Sequence, residues 1–160
     1  MRFVIKAYTK KLREVANAVR RFFSDFRPIW KGPADILEKA TKKLIDSGDS
    51  GWRPLEKSTL KWRSKKGYGP SPLLKASGKM YESFGLFNRT QKKSLEVGTD
   101  IPYAAAHQFG STMQKFGGTI PSRPFAVVSE QSNTEISEYV TDKLNSAVQD
   151  TIDRTKEDGQ

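Results

Sequence analysis

The chain has no cysteine and one histidine among its 160 residues. The first absence removes disulfides, thiolate nucleophiles and Cys-ligated zinc from consideration. The second leaves His107 as the sole imidazole, and one His with scattered carboxylates makes no metal-ligand set. No apolar run approaches the ~18 residues that a membrane span needs. The N-terminal MRFVIKAYTKK lacks the apolar stretch of a secretory signal. Apolar residues are scarce, 36% of the chain, while 29% are charged. Such a chain buries one modest core and leaves much surface for water or for neighbouring subunits. The expectation is a single domain over residues 1–160, made in the cytoplasm, with no membrane partner.

Charge is plentiful but unevenly placed. Residues 1–93 hold 23 Lys and Arg against 8 Asp and Glu; residues 94–160 hold 5 against 10. The chain is therefore basic in its first part and acidic in its last. A basic surface suits phosphate or an acidic partner. Opposite signs at the two ends also suit head-to-tail contact between copies. The plainest alternative is a solvated basic surface.

Periodicity marks three helices. Leu12, Val15, Ala16, Val19, Phe22, Phe23 and Phe26 recur at helical spacing, with Thr9 as a candidate cap and Pro28 as the stop; Phe3 and Ile5 suggest a short strand before it. Ile36, Leu37, Ala40, Leu44 and Ile45 form a second stripe, entered at Asp35 or at Pro33 in the first turn and closed by Ser47-Gly48. Ile136, Tyr139, Val140, Leu144, Ala147, Val148 and Ile152 form a third, with Glu130, Glu135 and Glu138 at its N-terminal end, where the helix dipole favours them. The tail over 154–160 is expected to fray.

Between the second and third helices the pattern shortens. Residues 46–73 form a long Gly/Pro/Ser-rich loop, anchored by Trp52, Leu55, Leu60 and Trp62, with a short helix near Glu56–Arg63 and a mobile tip over Arg63–Pro70. Leu73–Phe84 reads as a short helix entered at Ala76-Ser77-Gly78, with Leu74, Met80, Tyr81 and Phe84 inward. Leu86–Asn88 and Ser94–Val97 alternate as the arms of a hairpin, which Gly98 ends. Tyr103–Phe109 is a short helix after Pro102, stopped by Gly110. Ser111–Pro121 is a Gly-rich loop or extended arm, and Phe125–Val128 a strand with Pro124 at its start. The sum is an α+β fold: a small antiparallel sheet packed against two or three long amphipathic helices, with long loops.

Several segments carry a resemblance when taken in order. They are Gly51-Trp52-Arg53-Pro54-Leu55, then the Ser77-Gly78 turn, then Val97-Gly98-Thr99 running into Pro102-Tyr103-Ala104-Ala105-Ala106-His107-Gln108-Phe109-Gly110, and last Arg123-Pro124-Phe125. The chain resembles the phage virion-morphogenesis family, whose members are also called tail-completion or head–tail joining (neck) proteins, over roughly residues 44–130. The resemblance implies a structural virion protein without catalysis or cofactor, located in the neck or tail and assembled in the host cytoplasm. It implies a homo-oligomeric ring, hexameric by analogy with six-fold tail tubes. Its partners would be the head connector or adaptor and the tail tube or terminator, with packaged DNA passing through the lumen. Trp52, Ser77, Gly78, Tyr103, Ala104, His107, Gln108, Gly110, Arg123, Pro124 and Phe125 are the positions that match.

Each constellation has a plainer reading beside it. His107 as a catalyst would need a nucleophile or acid beside it, such as Ser77, Tyr103 or Asp100; as a structural residue it needs only a hydrogen-bond partner. Gly67-Tyr68-Gly69 lacks the Gly-Lys-Ser/Thr ending of a phosphate loop. Lys57, Lys61, Arg63, Lys65 and Lys66, interleaved with Trp62 and Tyr68, suit contact with nucleic-acid phosphates or with a neighbouring virion protein, but no nucleic-acid-binding motif surrounds them. Arg123 suits a carboxylate or a subunit contact, and Phe125 the core. Two other roles remain open beside tail completion: a terminator capping tube growth, and a basic nucleic-acid-binding module.

Overall fold

A computed structural model describes residues 2–48, 51–85, 87–113 and 118–157. Its elements, in order, are helices α1 (Arg2–Ser24), α2 (Lys31–Ser47), α3 (Lys57–Lys65) and α4 (Lys79–Ser83), strands β1 (Phe87–Thr90) and β2 (Leu95–Gly98), helix α5 (Ala104–Phe109), strands β3 (Ser111–Met113) and β4 (Gly118–Ile120), and helix α6 (Glu130–Glu157). The fold is α+β, with three long helices and two small antiparallel strand pairs.

The long helices follow their apolar stripes. α1 packs along α6, and α2 packs on another part of α6. α1 begins at Arg2, so the strand expected at Phe3 and Ile5 is absent: with neither Gly nor Pro before Pro28, nothing in the chain interrupts the helix. Its end is tied off locally, where Ser24 donates to the Arg21 carbonyl and Asp25 accepts from both the backbone and the guanidinium of Arg27. α2 admits Pro33 inside its first turn, where no intrahelical donor is lost, and not the Asp35 cap. Gly48 closes it in the left-handed region at φ 61°. α6 runs on to Glu157, three residues past the expected start of fraying at 154.

Close approach joins α2 to α6. A Cβ on Gly32 would stand 2.3 Å from Cζ of Tyr139, so only glycine lets the ring lie against the backbone. The turn between α1 and α2 is fastened to the first hairpin. Phe26 N donates to the Lys92 carbonyl at 2.8 Å, and Trp30 Nε1 to the Gln91 carbonyl at 2.7 Å. Phe22, Phe23 and Phe26 meet edge to face around this junction and Trp30 leans on Phe26, with neighbouring ring centroids 5.4–5.8 Å apart.

The hairpin pairs Phe87 with Gly98 and Thr90 with Leu95. Leu95 and Val97 are half-buried while Ser94 and Glu96 are exposed, as alternation requires; Leu86 lies outside the described residues. The expected arm over Ser111–Pro121 holds a second antiparallel strand pair, Ser111 opposite Ile120 and Met113 opposite Gly118; residues 114–117 also lie outside the described ones. The expected helix over Leu73–Phe84 shrinks to α4, because Gly78 sits at φ 79° and starts it late. The expected strand over Phe125–Val128 does not form.

The core lies where these short elements meet. Ile45, Leu74, Met80, Phe84, Ala104 and Phe125 are buried together, with Trp52, Tyr81 and Ile101 packed against them. Phe84 and Phe125 meet edge to face at 5.4 Å.

Candidate functional site

The matching residues gather around α5, where backbone polar groups arrive faster than regular structure can pair them. Gln108 resolves part of this. Its Oε1 accepts from Phe125 N at 2.9 Å and Ala126 N at 3.1 Å, and its Nε2 donates to the Ala126 carbonyl at 3.4 Å. One side-chain amide thus takes the place of a neighbouring strand, which is why an extended Phe125 segment exists without a ladder. Two further bonds hold the same segment: Arg123 N donates to the His107 carbonyl at 2.7 Å, and Ser122 Oγ to the Gln108 carbonyl at 2.9 Å. Gly110, at φ 80°, passes so close that a Cβ would sit 3.1 Å from both the Ile120 carbonyl and Ser122 N.

Arg123 and Arg63 do the same for the long loop. Arg123 is 4% exposed. Its Nε and Nη2 donate to the Arg53 carbonyl at 3.2 and 3.0 Å, and Nη2 reaches the Pro54 carbonyl at 3.5 Å. The carboxylate partner considered for Arg123 is replaced by these carbonyls, which anchor the Trp52 segment to the core. Arg63 is 3% exposed and donates to the carbonyls of Gly69, Pro70, Pro72 and Leu73 at 2.9–3.2 Å. It therefore does not belong to the exposed basic loop; it is a strap that closes that loop, and the tip expected to be mobile over Arg63–Pro70 is held by it. The sequence showed Arg63 only as one cation among five, because the sign of a charge does not reveal which way its side chain turns.

His107 lies beside both guanidinium groups. Its Nδ1 is buried without a hydrogen-bond partner, and its ring meets Tyr103 edge to face at 6.0 Å. Burial, then the positive charges of Arg123 and Arg63, hold its pKa below the ordinary histidine value, so the ring is neutral at physiological pH. A cavity of about 300 Å³ opens here, lined by Leu55, Trp62, Arg63, Leu74, Tyr103 and His107 among others. Ser77 and Gly78 also border it. Asp100 and Ser77, considered as catalytic companions, are both exposed. The Arg63 guanidinium is spent on carbonyls. The described residues hold no cluster of three metal-ligating side chains.

The remaining cations do form a surface. Lys57, Lys61 and Lys65 stand four residues apart on α3, so they share one face of it, and Lys66 follows; all four are exposed. Trp62, 49% exposed, packs at a tilt against Tyr68 with centroids 5.8 Å apart. A second opening of about 590 Å³ lies between α2 and the start of α6, lined by Ile36, Ala40, Leu44, Val127, Lys39 and Lys43 among others. Sequence periodicity placed these α2 residues on an inward stripe; it did not show that part of the stripe stays uncovered.

Comparison with known proteins places the chain. Residues 7–145 match the phage virion morphogenesis family, and the chain belongs to that family. It is 26% identical over 143 residues to Mu-like prophage FluMu G protein 2 of Haemophilus influenzae, across 87% of this chain and 95% of that protein. No solved structure matches it.

Proposed function

We propose that this chain is a structural virion protein that completes the phage tail and joins it to the head connector as a ring in the neck. The observation that carries the reading is the family match over 7–145, together with the use its matching residues find here. Gln108, Gly110, Arg123 and Phe125 all serve to hold loops on a small core; none is arranged around a reacting group. Ordered loops on a rigid body suit a part that contacts components on two sides. Charge supports a ring: α1 contributes seven Lys and Arg and a single Glu, while α6 contributes seven Asp and Glu and three Lys and Arg. Beyond the α1–α6 packing inside each copy, copies set head to tail would bring the basic first part of one toward the acidic last part of the next. Six-fold symmetry is inferred from the resemblance to ring-forming neck proteins.

The lysine face of α3 supports a subsidiary role, contact with DNA passing through the lumen or with a neighbouring virion protein. The same face would serve a nucleic-acid-binding module, and a terminator that caps the tube would share the ring. Sedimentation and negative-stain imaging of the purified protein separate the two ring-forming readings from the binding module. A ring that loosens with salt is expected, since exposed charges beyond about 8 Å are screened near 0.15 M. A monomer that shifts DNA in a salt-dependent way, and forms no ring at any concentration, would favour the binding module instead.

A further inference from the structure

α1 buries only part of its apolar surface against α6. Ala18 is buried, and Val15 and Phe22 are half-buried. Leu12, Ala16, Val19 and Phe23 form a second, adjoining row at steps of four, three and four. That spacing is the a/d seam of a two-stranded coiled coil. The row is open: Leu12 is 72% exposed, Phe23 49%, Ala16 is exposed and Val19 half-buried. It runs about 17 Å, three turns of helix. Arg13 and Arg20 follow Leu12 and Val19 directly, at the flanking e positions; both are exposed and make no ion pair among the described residues.

The geometry points to a docking seam for an amphipathic helix of another protein, with apolar residues at its own a and d positions and Asp or Glu beside them. The inference rests on the proposed joining role only for the partner being a virion component. The charge of the flanks selects the partner. Two copies pairing α1 to α1 would set Arg13 and Arg20 against their counterparts if antiparallel, and beside no carboxylate if parallel, since the opposing g positions are Tyr8 and Val15. α6 of another copy supplies charge without apolar surface, because its exposed row is Glu138, Asp142, Asn145, Gln149 and Asp153, while Val140, Leu144 and Val148 are half-buried in the chain's own packing. An acid-flanked foreign helix satisfies both the apolar row and the arginines.

Two 21-residue helical peptides test this, each with Ile at a and Leu at d, one with Glu at every e and g position and one with Lys; like charges keep each peptide from pairing with itself. Fluorescence anisotropy against the full chain should show the Glu peptide binding at least tenfold more tightly than the Lys peptide. Leu12→Gln/Phe23→Gln, both at exposed positions and checked for unchanged helicity, should abolish binding. Arg13→Glu/Arg20→Glu should reverse the preference. Equal affinity for the two peptides, or binding indifferent to Leu12→Gln/Phe23→Gln, overturns the proposal. Sedimentation of the same variant separates it from the ring: dissolution of a wild-type ring would make the seam a self-interface and overturn the proposal while leaving the ring reading intact, whereas an unchanged ring that no longer binds peptide supports it.

Discussion

Replacing Gln108 by Leu removes three backbone hydrogen bonds and little volume. The two acceptor bonds matter most. Phe125 N is partly buried, at 2.9 Å from Oε1, and loses its partner where water reaches it poorly; Ala126 is exposed and can turn to solvent. An unsatisfied buried donor costs about 1–3 kcal/mol, and a solvent-replaceable bond about 0.5–1.5. The sum, about 2–3 kcal/mol, corresponds to a fall in Tm of roughly 5–10 °C for a chain of this length. Gln108→Glu provides the contrast. It keeps acceptors for both amides but loses the Nε2 donor to the Ala126 carbonyl, so a smaller loss is expected, about 1 kcal/mol. Thermal melts followed at 222 nm measure the stability, and hydrogen exchange at amides 125 and 126 reports the site. If Gln108→Leu shifted stability by less than about 0.5 kcal/mol, and amide 125 stayed protected, the side chain would not be the partner of that segment.

Other perturbations reach different joints of the fold. The lowered pKa of His107 means the unfolded chain binds its proton more readily, so stability is fully present above the unfolded pKa of about 6.5 and declines as pH falls through it. Melts across that range should show this slope in the wild type and not in His107→Gln, which should alter stability or assembly yield without removing any chemistry. Gly32→Ala drives a Cβ into the Tyr139 ring and should cost about 2 kcal/mol by denaturant titration, with m unchanged. Arg63→Met releases four loop carbonyls; a loss of about 3 kcal/mol and new protease cleavage between Lys65 and Pro72 are expected. Reversing the charge of Lys65 and Lys66, both exposed, should leave the melt unchanged and reduce head–tail joining in a mixed lysate.

The long helices were legible in the sequence because their signal is local and periodic: the stripes from Leu12 to Phe22, Ile36 to Ile45 and Ile136 to Ile152 each fill one face. The first hairpin was legible from the alternation around Leu95 and Val97. What failed to show were pairings made by distant groups. Phe125–Val128 has the composition of a strand, but strand formation depends on a backbone neighbour, and its neighbour is a side chain seventeen positions away. Arg63 and Arg123 read as surface cations because carbonyl acceptors carry no sequence signature. The segment order Trp52, Tyr103–Gly110 and Arg123–Phe125 pointed to the family, yet not to how the segments are joined: Gln108 bonds the backbone of Phe125 and Ala126, Arg123 bonds the carbonyls beside Trp52, and Trp52 itself packs on the core. The exposed half of the α1 stripe was likewise hidden, since an apolar face looks the same in sequence whether covered or not.

Deletion of the coding sequence from a phage that carries it, followed by imaging of the lysate, tests the neck assignment most directly. Filled heads and separate tails of normal length are expected, with few joined particles and infectivity restored when the purified protein is added back. Normal joined virions, or a lysate without tail tubes, would contradict it, and overlong tubes would make the protein a terminator.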